Sequence, residues 1–240
     1  MAPSDTTIIF VPGAWHTPDC FSPTTTLLEE AGYTIDLVYL KSVGPAEHVK
    51  DSQPDIDTTA AAIRRAVDRG HKVVLVCHSY GGIPGAQAIK GYESHIINFF
   101  LCCSFIIPQG KTLIGAFGSD LPWFNISEDR TEVNPATPAE TFYNDMSEEQ
   151  VKEAVSKLKP HSYQTFHSVV TYEGWRFVPT TYLYCLQDQA IPMFVQKLMV
   201  EEFAKGVDVK TPTVDASHTP FVSKPLETAN AIRRAAGENI

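Results

Sequence analysis

The residues with the clearest chemical potential form one short run, Cys77-His78-Ser79-Tyr80-Gly81-Gly82, which follows an apolar stretch and precedes a helical one. A strand that turns sharply into a helix lifts a serine hydroxyl above a sheet. Such a turn accepts only small side chains two positions before and after the serine. Gly81 meets the second demand. Cys77 occupies the first position, where glycine is usual; it is small, but it departs from the pattern. A serine hydroxyl is a weak nucleophile until a base takes its proton. His218, in Asp215-Ala-Ser-His-Thr-Pro220, is the candidate base, because an imidazole titrates near neutral pH. Asp188, in Tyr184-Cys-Leu-Gln-Asp-Gln-Ala-Ile-Pro192, is the candidate that fixes the imidazole tautomer and stabilises its charged form. Together, these types in the order Ser, Asp, His point to acyl transfer through a covalent acyl-enzyme.

Acyl transfer also needs N–H donors aimed at the developing oxyanion. One comes from the residue after the nucleophile, here Tyr80. The run Phe10-Val-Pro-Gly-Ala-Trp15 ends an early strand, and its Gly13 lets the backbone approach a substrate closely, so that Ala14 offers the second N–H. There are eight histidines. His71, His95, His161 and His167 have no comparable context, and His48 is uninformative. His78 is expected to pack or bond near the turn. Trp15 and His16, beside the Gly13 loop, are candidate substrate contacts.

These groups require a scaffold. Thr7–Val11, Tyr33–Leu40, Lys72–Cys77, Ile96–Ile107, Thr180–Leu186 and Val207–Val214 read as strands. Most are continuous apolar runs, as expected of parallel strands buried on both faces. Helices are expected over Asp55–Arg69, Gly82–Lys90, Met193–Lys205 and Pro225–Ala236. The alternation gives an α/β protein with a mostly parallel, doubly wound sheet of about six strands. Ligands in such sheets sit at the carboxyl ends of the strands. Residues 109–178 separate two strands by far more than the usual connection. We read them as a helical cap inserted before the penultimate strand, on a core formed by residues 1–108 and 179–240. The cap contains a helix over Ser147–Lys159 whose Ser147 and Gln150 form a capping box. Its aromatics Trp123, Phe124, Tyr143 and Trp175 are candidate substrate contacts; the competing reading is that each fills cap core.

Composition excludes several classes. The chain has 240 residues, 43% hydrophobic and 20% charged, with a formal net charge of −9 and no basic run to hold a nucleic acid. No apolar run approaches the roughly 20 residues of a membrane span. The start carries no secretory pattern. The five cysteines show no metal-ligand spacing and suit a reducing, cytoplasmic compartment. The partner expected is a small-molecule substrate, with neither nucleic acid nor membrane; a homodimer is left open.

Pro-Gly-Ala-Trp-His at 12–16, His-Ser-Tyr-Gly-Gly at 78–82, Asp-Gln-Ala-Ile-Pro at 188–192 and Ser-His-Thr-Pro at 217–220 resemble the small α/β-hydrolase family of plant methyl esterases and hydroxynitrile lyases, with fungal and microbial relatives. The resemblance covers almost the whole chain. It implies an α/β-hydrolase fold, a triad of Ser79, His218 and Asp188, an oxyanion hole of Ala14 and Tyr80, and no cofactor. Pro12 stands where histidine is common. Thr219 stands where the hydroxynitrile lyases carry a lysine for cyanide, which disfavours cyanohydrin cleavage. The expected activity is hydrolysis of an ester, lactone or thioester of a mostly apolar small molecule. The alternatives are a non-hydrolytic lyase or cyclase of secondary metabolism, or a ligand receptor.

Overall fold

The computed structural model describes residues 3–240; the first two residues of the expected core lie outside that range. Its spine is a seven-stranded parallel sheet. The strands are β1 (Thr6–Val11), β2 (Thr34–Leu37), β3 (Lys72–His78), β4 (Ile96–Cys102), β8 (Thr180–Cys185), β9 (Val209–Lys210) and β10 (Thr213–Val214). The order is β10-β8-β4-β3-β1-β2, with β9 also on β8. Successive residues of one strand serve opposite cores. Ile8, Phe10, Val74, Val76 and Phe100 face one apolar cluster, while Ile9, Val11, Val73, Leu75 and Phe99 face the other. That double burial is why these strands read as unbroken apolar runs.

Helices cover both faces. On one lie α1 (Ser22–Glu30), α8 (Pro220–Ser223) and α9 (Pro225–Ala235); on the other lie α2 (Gln53–Asp68) and α3 (Gly82–Ala88). Helix α1 has no clear sequence signal: three consecutive threonines are poor helix formers, and Pro23 is tolerated because it stands in the first turn. The expected strand over 207–214 is two short pieces, since Pro212 has no N–H for the ladder. Strand β4 stops at Cys102 rather than Ile107, because Cys103 adopts φ 35 and turns the chain out of the sheet. Strand β2 ends at Leu37. The helix expected over 193–205 is α7 (Met193–Leu198) followed by a π-turn over Met199–Phe203.

Residues 109–178 lie between β4 and β8 and are not purely helical. They hold α4 (Leu113–Phe117), α5 (Pro138–Phe142) and α6 (Glu148–Ser156), and also a three-stranded antiparallel sheet of β5 (Phe124–Ile126), β6 (Glu132–Pro135) and β7 (His161–Ser162). These strands are too short to show a two-residue period. The capping box of α6 is present: Ser147 Oγ accepts the Gln150 N–H, and Gln150 Oε1 accepts the Ser147 N–H. Among the described residues no helix is long and apolar enough to cross a membrane.

Candidate active site

Strand β3 delivers Ser79 at its carboxyl end, with φ 50. That left-handed conformation is uncommon outside glycine and marks a constrained turn. The chain then passes through one 3-10 turn into α3. Glycine is enforced at the next two steps. A Cβ on Gly81 would come within 2.6 Å of the Val11 and Pro12 carbonyl oxygens, and one on Gly82 within 2.5 Å of the Phe105 carbonyl oxygen. Cys77, where glycine is usual, is accommodated from the far side: a Cβ on Gly85 of α3 would lie only 2.4 Å from its sulfur. The thiol therefore occupies space that Gly85 leaves open.

The loop after β1 runs alongside. A Cβ on Gly13 would meet the Ser79 Cβ at 2.7 Å. Ala14 and Tyr80 line the same small cavity as Ser79. No acceptor among the described residues takes either of their N–H groups. Both donors are thus free for a ligand oxygen beside Ser79.

His218 follows β10 and is almost wholly buried, as is Asp188 after β8. Their side chains meet, with Nδ1 of His218 2.8 Å from Oδ2 of Asp188. The other carboxylate oxygen accepts the N–H groups of Ala190 and Ile191, each at 2.8 Å. A carboxylate held by three donors is fixed in direction, so it fixes the ring orientation and leaves Nε2 as the ring nitrogen not engaged by the carboxylate.

His78 was expected to pack near the turn, and its ring lies 4.5 Å from the His218 ring. Its Nε2 donates to the His218 carbonyl oxygen at 2.9 Å, beside the Cys103 thiol, which donates to the same oxygen at 3.2 Å. Burial holds the His78 pKa well below the usual range, so the ring is neutral with its proton on Nε2. Cys103 and the His78 bond carried no sequence signal, because their contacts with His218 span 115 and 140 residues.

Asp55 is a second group that the sequence did not mark as functional. It reads as a helix-start residue, yet it is fully buried. One carboxylate oxygen accepts the Ser42 N–H at 3.0 Å and the other the Tyr80 hydroxyl at 2.9 Å. Burial raises its pKa. The pair ties the side chain of an oxyanion-donor candidate to α2.

The substrate-contact candidates divide. Trp15, Trp123 and Phe124 line the cavity at Ser79, whose space of about 10 Å³ admits roughly one water. A hollow of about 350 Å³ adjoins it through Phe105, Leu113, Leu121, Trp123, Phe124, Ala190 and Ile191. Trp15 has φ 65, and its Nε1 donates to the Val133 carbonyl of β6 at 2.8 Å. His16 and Tyr143 do not line that space. They border a different hollow of about 670 Å³ with Asp19, Lys157 and Thr219. His16 Nδ1 donates to the Ala14 carbonyl at 2.8 Å, and the Tyr143 hydroxyl donates to Nε2 at 2.9 Å. Burial lowers the His16 pKa to about 4. Trp175 is buried in a 3-10 turn packed on α3 and does not line the Ser79 cavity.

A parallel sheet with a serine elbow, a buried histidine–carboxylate pair and two free N–H donors defines the α/β-hydrolase class of sites. The profile of the alpha/beta hydrolase family matches residues 8–231, and the chain belongs to that family. It is 27% identical to the alpha/beta hydrolase nvfD of Aspergillus novofumigatus, covering 97% of each chain. It is 25% identical to norfluorocurarine synthase 2 of a Strychnos species, covering 93% of this chain and 92% of that one. Among solved structures it superposes on a pyrethroid hydrolase from Sphingobium faniae JZ-2 with a TM-score of 0.81, at 21% identity and 97% coverage of each chain. That last likeness speaks to the fold alone.

Proposed function

We propose that this protein is a serine hydrolase that cleaves an ester, lactone or thioester of a mostly apolar small molecule. Ser79 is the nucleophile, His218 the general base and acid, and Asp188 the group that orients it. The observations that carry the reading are the buried 2.8 Å pair of His218 and Asp188 and a serine held at φ 50 at the end of β3. His218 Nε2 takes the Ser79 proton as Oγ attacks the acyl carbon. The N–H groups of Ala14 and Tyr80 receive the oxyanion. The imidazolium, stabilised by Asp188, protonates the leaving group, and a water activated by His218 then releases the acyl group.

The substrate class follows from the walls. The hollow next to Ser79 is lined mainly by apolar and aromatic side chains, which suits an apolar acyl or alkyl group. We assign residues 109–178 the role of a cap, because they supply Trp123 and Phe124 above the serine. The space at Ser79 is too small for an ester group, so this segment moves when substrate enters. Five free cysteines support a cytoplasmic location.

The test is hydrolysis of p-nitrophenyl acetate and butyrate by wild type and Ser79→Ala. The expected loss in kcat is on the order of 10⁶, as for removal of a triad nucleophile. Wild-type turnover that survives the substitution would replace the acyl-enzyme with chemistry in which His218 acts alone as acid or base.

A further inference from the structure

The peptide unit joining Ser79 to Tyr80 carries at its nitrogen one of the two donors assigned above to the oxyanion. At its other end is the Ser79 carbonyl. That oxygen accepts the Ser104 hydroxyl at 2.7 Å and the Phe105 N–H at 3.0 Å. A peptide unit is planar, so holding its C=O sets the direction of its N–H. A donor on the carbonyl also polarises the unit and makes the N–H a stronger donor in turn.

Ser104 is completely buried. Its own carbonyl accepts the Tyr182 hydroxyl at 2.9 Å. A Cβ on Gly82 would lie 2.4 Å from its Oγ, so the hydroxyl fits only because position 82 has no side chain. The break of β4 at Cys103, φ 35, is what brings Ser104 under the elbow. A serine inside an apolar run, on a strand expected to continue, is thereby aimed at the back of the nucleophile.

We propose that Ser104 is a positioning residue for acyl transfer. It holds and polarises the Ser79–Tyr80 peptide so that the Tyr80 N–H meets the oxyanion, and it touches no substrate. This role rests on the serine hydrolase reading. The Tyr80 side chain is braced by the Asp55 carboxylate, so Ser104 holds the peptide that precedes Tyr80 while Asp55 holds its hydroxyl.

The experiment compares wild type and Ser104→Ala by the rate of fluorophosphonate labelling at Ser79 and by affinity for a trifluoromethyl ketone. Both reagents place an anionic oxygen where the substrate oxyanion forms. In Ser104→Ala, the Phe105 N–H still satisfies the Ser79 carbonyl, so no buried acceptor is orphaned and the variant folds. Labelling is expected to slow about tenfold and the ketone to bind about tenfold more weakly, the scale of one hydrogen bond. The KM for p-nitrophenyl butyrate and the thermal midpoint stay at wild-type values. Labelling at the wild-type rate, or slowed labelling with unchanged ketone affinity, overturns the role. Ser104→Cys, which keeps a weak S–H donor, should fall between the two and serves if the alanine variant does not fold. A wild-type protein that resists labelling overturns the hydrolase reading itself, whereas a labelled wild type with an indifferent Ser104→Ala overturns only this inference.

Discussion

On the core side of Ser79, backbone atoms set the tolerances. The Val11, Pro12 and Phe105 carbonyls crowd Gly81 and Gly82 to within 2.6 Å of any added Cβ. The Ser79 and His218 carbonyls are each held by two donors. On the side of residues 109–178, the wall is aromatic packing. The Trp15 ring lies within 5.5–6.1 Å of the rings of Trp123, Phe124, Phe142, His161 and Phe166. A wall of crowded backbone tolerates almost no displacement, while rings in contact can slide past one another at modest cost. The first suits the nucleophile proposed at Ser79, which must not move; the second suits the proposed cap, which must open.

The comparison breaks most readily at Trp15, which belongs to the core loop but packs against the inserted segment. Trp15→Ala is expected to cost about 3–5 kcal/mol, as for a large buried aromatic. Limited proteolysis should then cut within residues 109–178 before the sheet. Cleavage spread evenly over the chain would show that the two walls do not differ in stiffness.

Acid should act next, through the histidines near the junction. His16 is buried and neutral, with its pKa lowered from 6.5 to about 4. Burial likewise lowers His161, beneath the Tyr80 ring, to about 3. In the unfolded chain each binds a proton near pH 6.5, whereas the folded chain binds it only well below that. Their contribution to stability is therefore complete above about pH 6.5 and is lost as pH falls towards about 4 for His16 and about 3 for His161. It amounts to a few kcal/mol for His16. Denaturant midpoints measured from pH 7 to 4 should fall across that window, and His16→Gln should flatten the slope. An unchanged slope in His16→Gln would remove this residue from the account.

The smallest effect sharpens the core side alone. Gly85→Ala drives a methyl into the Cys77 sulfur, and Cys77→Gly empties that space. The double variant should be more stable than the sum of the single changes by about 1 kcal/mol or more. Strict additivity would mean that Cys77 does not owe its place at the elbow to Gly85.

Much of the core was legible, since its signals are local. The elbow needs a strand, a serine and small residues at set offsets, all within one run. Continuous apolar strands announce a sheet buried on both faces. The threonine-rich α1 lacked any such signal, and the expected strand over 207–214 overlooked the missing N–H of Pro212. The inserted segment was legible in extent and aromatic content but not in architecture, because its strands of two to four residues are too short to show a two-residue period and β7 pairs with β6 across the intervening α5 and α6.

Sequence alone determined the order of the candidate groups along the chain: a serine on a turn after β3, a carboxylate after β8 and a histidine after β10. Each is placed by the end of its own strand, and parallel strands present those ends on one edge. Tertiary structure decided everything that depends on facing direction. His16 and Tyr143 bond each other and border a separate hollow, Trp175 packs on α3, and Asp55 and Ser104 converge on Tyr80 from 25 residues upstream and on Ser79 from 25 residues downstream. A side chain's type is written at one position, but what it touches is set by how the sheet and the inserted segment close around it.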